Sequence, residues 1–171
     1  ASDRMRLILA GVLADWLTAA DDALASAVLL LLDKGQIVAE GSAAITLAAC
    51  GALKSKLKGK KVVVIVSGGN IDVNLLSRII DRALIQEGRR VRVNVWLPDR
   101  PGSLARLTEL VASEGANVLQ AIHDHNEPTT HIDETEVSLT LETRSAEHAK
   151  KLIGVLGKTF NRVELLHDIK H

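Results

Sequence analysis

Lys60 to Arg82 reads KKVVVIVSGGNIDVNLLSRIIDR, and the rest of the chain is placed by reference to it. Lys61 to Val66 is a β-branched run without a polar break, the pattern of a strand buried on both faces. Ser67, Gly68, Gly69 and Asn70 form the turn that ends it. From Asp72 the apolar residues Val73, Leu76, Ile79, Ile80 and Ala83 recur at helical spacing, so the unit reads strand, glycine-rich turn, helix. Such a turn presents backbone N–H groups and one hydroxyl at the carboxyl end of a strand, where open α/β sheets bind ligands. On turn chemistry alone, two adjacent glycines between a strand and a helix are more often a tight connection than a cofactor site.

Composition limits what surrounds this unit. The chain has 171 residues, enough for one ordinary domain or two small ones, and 47% of them are hydrophobic, ample for a core. Its 21 basic and 21 acidic residues balance, so no long-range field draws it to nucleic acid or an anionic membrane. Val28 to Leu32 is too short an apolar run to span a bilayer. Met5 to Leu13 is apolar, but Asp15 and Trp16 follow where a secretory signal would carry small residues. The single cysteine, Cys50, lies in an alanine-rich helical stretch and fits a reducing compartment. These readings together give the expectation of a cytoplasmic protein with neither a nucleic-acid nor a membrane partner.

Before the opening unit, Met5 to Leu17 suits a strand by its Leu, Ile and Val content and a helix by its Ala and Leu content. Asp21 or Asp22 can cap a helix from Ala23 to Lys34 that Gly35 ends, and its leucine-rich second half should be buried all round. Glu40, Gly41 and Ser42 then open a second helix, from Ala43 to about Lys56. On sequence alone, Glu40 is either a capping or solvated carboxylate or a group facing a site. Lys54 to Lys61 is a basic linker.

Gly88 stops the helix that starts at Asp72, and a fresh pattern begins there. Val91, Val93, Val95 and Leu97 alternate with Arg92, Asn94 and Trp96 over one strand. Pro98 to Ser103 is a turn into a helix striped by Leu104, Leu107, Leu110 and Val111, which Gly115 closes. Ala116 to His123 and Glu134 to Glu142 read as strands around a polar loop containing Pro128. Ser145 to Leu156 is a helix and Arg162 to Leu166 a final strand. The order β-α-β-β-α-β is the split βαβ arrangement of ferredoxin-like domains. His123, His125 and His131 fall near metal-ligand spacing, but their loop supplies no fixed second shell, and no metal site is expected.

Three stretches resemble known families. VVVIVSGGNID resembles the SGGN segment of the threonine and serine dehydratases, pyridoxal-phosphate enzymes of fold type II. DDALASAVLLLLDKGQIVAEGSAAITLAA resembles the same family's helix, its glutamate-glycine turn and the following helix. VRVNVWLPDRPGSLARLTELVASEGANVL is similar to an ACT domain, the amino-acid-sensing module that some of these enzymes carry at their C-terminus. The fold class this implies is α/β: a partial fold-type-II catalytic segment, helices plus one core strand, followed by a ferredoxin-like ACT domain. Residues 1–88 would be the catalytic segment and residues 89–171 the regulatory domain.

The resemblance implies a cofactor-facing cluster of Ser67, Gly68, Gly69, Asn70, Glu40 and Gly41, with the Ser67 hydroxyl on the ring nitrogen of pyridoxal phosphate. It also implies a lysine joined to the cofactor and a glycine-rich phosphate loop, and neither motif occurs in the chain. The complete enzyme would therefore use pyridoxal phosphate to deaminate threonine to 2-oxobutanoate and ammonia. This chain alone should hold no catalytic residue and bind no cofactor. In the ACT-like half the implied effector site is Asp99, Arg100, Pro101, Gly102, Ser103 and Leu104 with Asn117 and Val118. Its implied ligand is isoleucine or valine, and its setting is the interface of a homo-oligomer. The alternative is a free-standing amino-acid-sensing ACT protein without catalysis.

Overall fold

The alternation of Val91, Val93, Val95 and Leu97 with polar neighbours becomes the central strand of an antiparallel sheet. The computed structural model describes residues 3–13, 16–124 and 133–166. The chain divides into two compact units, Ala1–Leu76 and Ser77–His171. No helix among the described residues is long and apolar enough to cross a membrane.

In the first unit, Met5 to Ala10 falls inside helix α1 (Asp3–Ala10), so that part of the ambiguous segment is helical. Helices α2 (Asp21–Asp33) and α3 (Gly41–Ala52) pack on each other through small residues. Ala25, Ala27, Val28 and Leu29 of α2 and Ala43, Ala44 and Ala48 of α3 are buried. The second expected helix breaks at Leu53, leaving the single turn α4 (Lys54–Leu57). Leu30 is exposed where a fully buried helix was expected, because the alanine face of α3 covers only one side of α2.

The expected core strand at Lys61 to Val66 does not form. Residues 61–66 belong to no ladder, and Val63 and Ile65 are 92% and 73% exposed. A strand exists only when a neighbour accepts its backbone hydrogen bonds, and every strand among the described residues lies in 90–165. The helix beyond it forms as read. Asp72 Oδ1 accepts the Leu75 N–H at 2.9 Å, which caps α5 (Val73–Gln86). Gly88, at φ 63°, ends it: the Arg89 N–H reaches Leu84 O and the Gly88 N–H reaches Ile85 O, a Schellman motif.

The second unit is built from β1 (Arg90–Pro98), α6 (Ser103–Ser113), β2 (Asn117–Asp124), β3 (Glu134–Glu142), α7 (Ala146–Thr159) and β4 (Arg162–Leu165). Its four strands lie in the order β2-β3-β1-β4 with every neighbour antiparallel. β1 and β2 therefore run the same way with β3 inserted between them, as the split βαβ reading requires. The core face joins Val91, Val93, Val95 and Leu97 to Val137, Leu139 and Leu141 under Leu107, Val111, Leu152 and Leu156 of the helices. On the opposite face Ser138 Oγ donates to Asn94 Oδ1 at 2.6 Å, and Arg162 lies over the Trp96 ring, 3.8 Å from its centre. A β-bulge between Val118 and Gln120 shifts β2 by one residue. His125 and His131 lie outside the described residues.

Candidate functional site

The structure brings the glutamate-glycine turn against the serine-glycine turn. The Glu40 backbone N–H donates to Gly68 O at 3.3 Å, and Ser42 Oγ donates to the Glu40 carboxylate. A Cβ on Gly68 would stand 2.7 Å from Glu40 Oε1, and Gly68 has φ 98°. Glycine there meets two demands, a left-handed backbone and a close neighbour. Gly69 makes a looser but still tight approach, a Cβ there standing 3.0 Å from the Val38 carbonyl oxygen, and Thr46 Oγ1 donates to Ile65 O at 2.9 Å. Ser67 and Asn70 are exposed beside this junction. Gly41 serves another purpose: a Cβ there would press on Leu24 Cδ2 at 3.2 Å, so it lets α2 and α3 approach.

This junction fits one end of pyridoxal phosphate. It offers the exposed Ser67 hydroxyl and the backbone of a glycine turn, which suits the pyridine end. The side chains that make the junction, Glu40, Ser42 and Thr46, include no cation, and the carboxylate is already held by Ser42. A phosphate group finds no partner among them.

In the second unit the turn before α6 is held by its own backbone. Arg100 N–H donates to Pro98 O, Ser103 N–H to Arg100 O and Asp99 N–H to Asp133 O. Gly102 is the N-cap of α6 at φ 90°, and a Cβ there would touch nothing within 4 Å, so its glycine answers the dihedral alone. Beside the turn lies a hollow of about 350 Å³ whose walls include Asp99, Arg100, Leu104, His123 and Thr135. Its last two residues come from β2 and β3 and were missed in the sequence, since only strand register places them there.

Asn117 and Val118 are elsewhere. Pro98 pairs with Glu134 at one end of the sheet, whereas Arg90 and Asn117 both pair with Glu142 at the other. The length of β2 puts about 23 Å between these ends, at about 3.3 Å per residue. Asn117 Nδ2 donates to Glu142 Oε2 at 3.4 Å and borders a separate hollow of about 440 Å³ with Arg89, Arg90 and Arg144. A single copy therefore does not assemble the eight expected effector residues into one site.

Comparison with known proteins accounts for both units. Residues 91–158 match the model of the ACT domain. The L-threonine ammonia-lyases of Thermotoga maritima and Geobacter sulfurreducens are 40% and 37% identical over 136 residues, 80% of this chain and 34% of each relative. Residues 91–158 form an ACT domain, and the chain as a whole is similar to part of these threonine ammonia-lyases. The L-threonine dehydratase biosynthetic IlvA of Lactococcus lactis is 42% identical over 89 residues, 52% of this chain and 21% of that protein. The chain spans about a third of the length of the threonine ammonia-lyases it matches. The ferredoxin-like order of the ACT domain is thus carried by its strand pairing and by its family match together.

Proposed function

We propose that this chain regulates a threonine dehydratase by binding an amino acid between two copies of its ACT domain. The observation that carries this reading is the separation of the turn Asp99 to Leu104 from Asn117 by the length of β2, together with the position of β2 at a sheet edge. Pairing two β2 edges antiparallel about a two-fold axis would set the turn of one copy beside Asn117 and Val118 of the other. The first-turn N–H groups of α6 would take the ligand carboxylate, and the Asn117 amide oxygen its ammonium. Leu104 offers an apolar contact suited to isoleucine or valine.

In the complete protein this regulator would serve the conversion of threonine to 2-oxobutanoate and ammonia in the cytoplasm, within branched-chain amino-acid metabolism. Residues 1–88 would contribute the pyridine end of the cofactor site and residues 89–171 the regulatory domain. Pyridoxal phosphate supplies an electron sink when bound. Ser67 would hydrogen-bond its ring nitrogen, and the Glu40 to Gly68 junction would fix the turn that presents this hydroxyl. The remaining contacts would come from protein outside this chain.

Titration calorimetry with isoleucine, valine, threonine and serine tests the effector site, on the wild type and on Gly102→Leu and Asn117→Ala. Binding of isoleucine or valine at one ligand per ACT domain, weakened in both variants, is expected. No binding at millimolar concentration, or variants that bind as tightly as the wild type, would sink the proposal.

A further inference from the structure

Glu142 closes β3 between two strands, and its Cα partners are Arg90 on β1 and Asn117 on β2. Residues directly opposite one another share a face of the sheet, so both side chains stand beside the Glu142 carboxylate. Only one of them takes it. Arg90 is ion-paired with Asp81 of α5, whereas Asn117 Nδ2 donates to Glu142 Oε2 at 3.4 Å. The other cations of this hollow are engaged elsewhere: Arg89 pairs with Glu87 at 3.5 Å, and Arg144 Nη2 lies against Gly115. Among the described residues that line the hollow, Glu142 is the only acidic one.

This bond fixes which end of the Asn117 amide is offered to a ligand. A carboxylate only accepts, so Nδ2 must turn toward Glu142, and Oδ1, an acceptor, is left facing away from it. Asn117 is exposed on an edge strand, and without the carboxylate its amide could turn over and present either end. Nδ2 keeps a second hydrogen, but an anion drawn to it would meet the charge of Glu142. The same charge attracts a cation. Glu142 itself stands on β3, which is hydrogen-bonded to a neighbour on both sides, so its backbone is firmly placed.

We infer that Glu142 is a positioning residue of the amino-acid site, holding the Asn117 amide with Oδ1 outward so that the site reads the α-ammonium of its ligand. This rests on the reading that Asn117 meets the ligand, and it adds what orients that contact. Glu142 acts through Asn117 and does not touch the ligand. The consequence is selectivity. An ammonium only donates and needs Oδ1, whereas the hydroxyl of the corresponding 2-hydroxy acid both donates and accepts and can meet either end of the amide.

Titration calorimetry on the full chain tests this with isoleucine, valine and the 2-hydroxy acid of each. The proteins are the wild type, Glu142→Gln, Asn117→Ala and the double variant. Glutamine at 142 has the same size but offers a donor as well as an acceptor, so it no longer dictates the amide. Glu142→Gln should weaken the amino acids about fivefold, the equivalent of one hydrogen bond of ordinary net strength. It should change the 2-hydroxy acids by less than about twofold, since their hydroxyl accommodates both orientations. In the Asn117→Ala background the same substitution should have no further effect. Unchanged amino-acid affinity, equal weakening of amino and hydroxy acids, or a full effect without Asn117 would each overturn the role of Glu142 and leave the effector site standing. A wild type that binds neither amino acid, or an Asn117→Ala variant that binds as tightly as the wild type, would instead sink the effector site and this inference with it.

Discussion

His148 ties two helices together through both ring nitrogens: Nε2 stands 2.8 Å from the carbonyl oxygen of Glu114 at the end of α6, while Nδ1 accepts the Arg144 backbone N–H at 3.1 Å just before α7. A backbone N–H can only donate and a carbonyl can only accept, so the imidazole must carry its hydrogen on Nε2. The same stretch is closed by the Ser145 side chain, which caps α7 by accepting the His148 N–H. His148→Ala removes both ring bonds, and a loss of about 1–2 kcal/mol is expected from two hydrogen bonds of ordinary net strength. Urea denaturation measures it, and an unchanged midpoint would refute the clamp.

Leu139, on β3, sits in the core between β1 and β2 and is 1% exposed. Leu139→Ala should cost about 3 kcal/mol through lost burial and the cavity left behind. Thr140, its neighbour on the opposite face of the sheet, should tolerate alanine with less than about 1 kcal/mol of change, as surface substitutions usually do. Equal losses at the two positions would contradict the assignment of faces.

Gly68→Ala meets two obstacles, the positive φ and the Glu40 carboxylate. Only the second can be relieved by a flexible side chain moving away. The variant should be about 1–2 kcal/mol less stable in the first unit, and Glu40→Ala in the same background should restore part of that but not all. Full restoration in a thermal melt would show that the dihedral carries no strain.

Val63→Lys places a charge on a side chain that is 92% exposed in this chain. The expected change in stability is within about 0.5 kcal/mol. Self-association should fall, because the apolar run 61–66 belongs to no ladder in this chain and can template another chain. Dynamic light scattering of wild type and variant at high concentration decides between this and an association mediated elsewhere.

Ile122, on the β2 edge strand, is 53% exposed. If two copies pair through β2, Ile122→Lys sets two like charges near the two-fold axis and should shift the particle from dimer to monomer. Sedimentation velocity reads the mass, and circular dichroism checks that the sheet is retained. A variant that stays dimeric would move the interface away from β2.

The ACT half was legible in the sequence because its elements are determined by short-range patterns. β3 spans Glu134–Glu142 as read, Gly88 and Gly115 end their helices, and Ser145 caps α7. The alternation of Val91 through Leu97 marks a half-buried strand wherever its partners come from. The first half shows the opposite case. Lys61 to Val66 carries the composition of a buried strand, but composition supplies no hydrogen-bond acceptor, and within this chain the segment joins no ladder and leaves Val63 and Ile65 exposed. The contact of Glu40 with Gly68 joins residues 28 positions apart in the chain, and only packing brings them together. Register likewise decided that Asn117 lies at the far end of the sheet from Gly102, and that Arg90 and Asn117 share Glu142 as their cross-strand partner. Side-chain type and spacing set which elements form, because the forces involved act over a few residues. Which side chains meet depends on pairing between distant strands, and that energy exists only once the chain has folded.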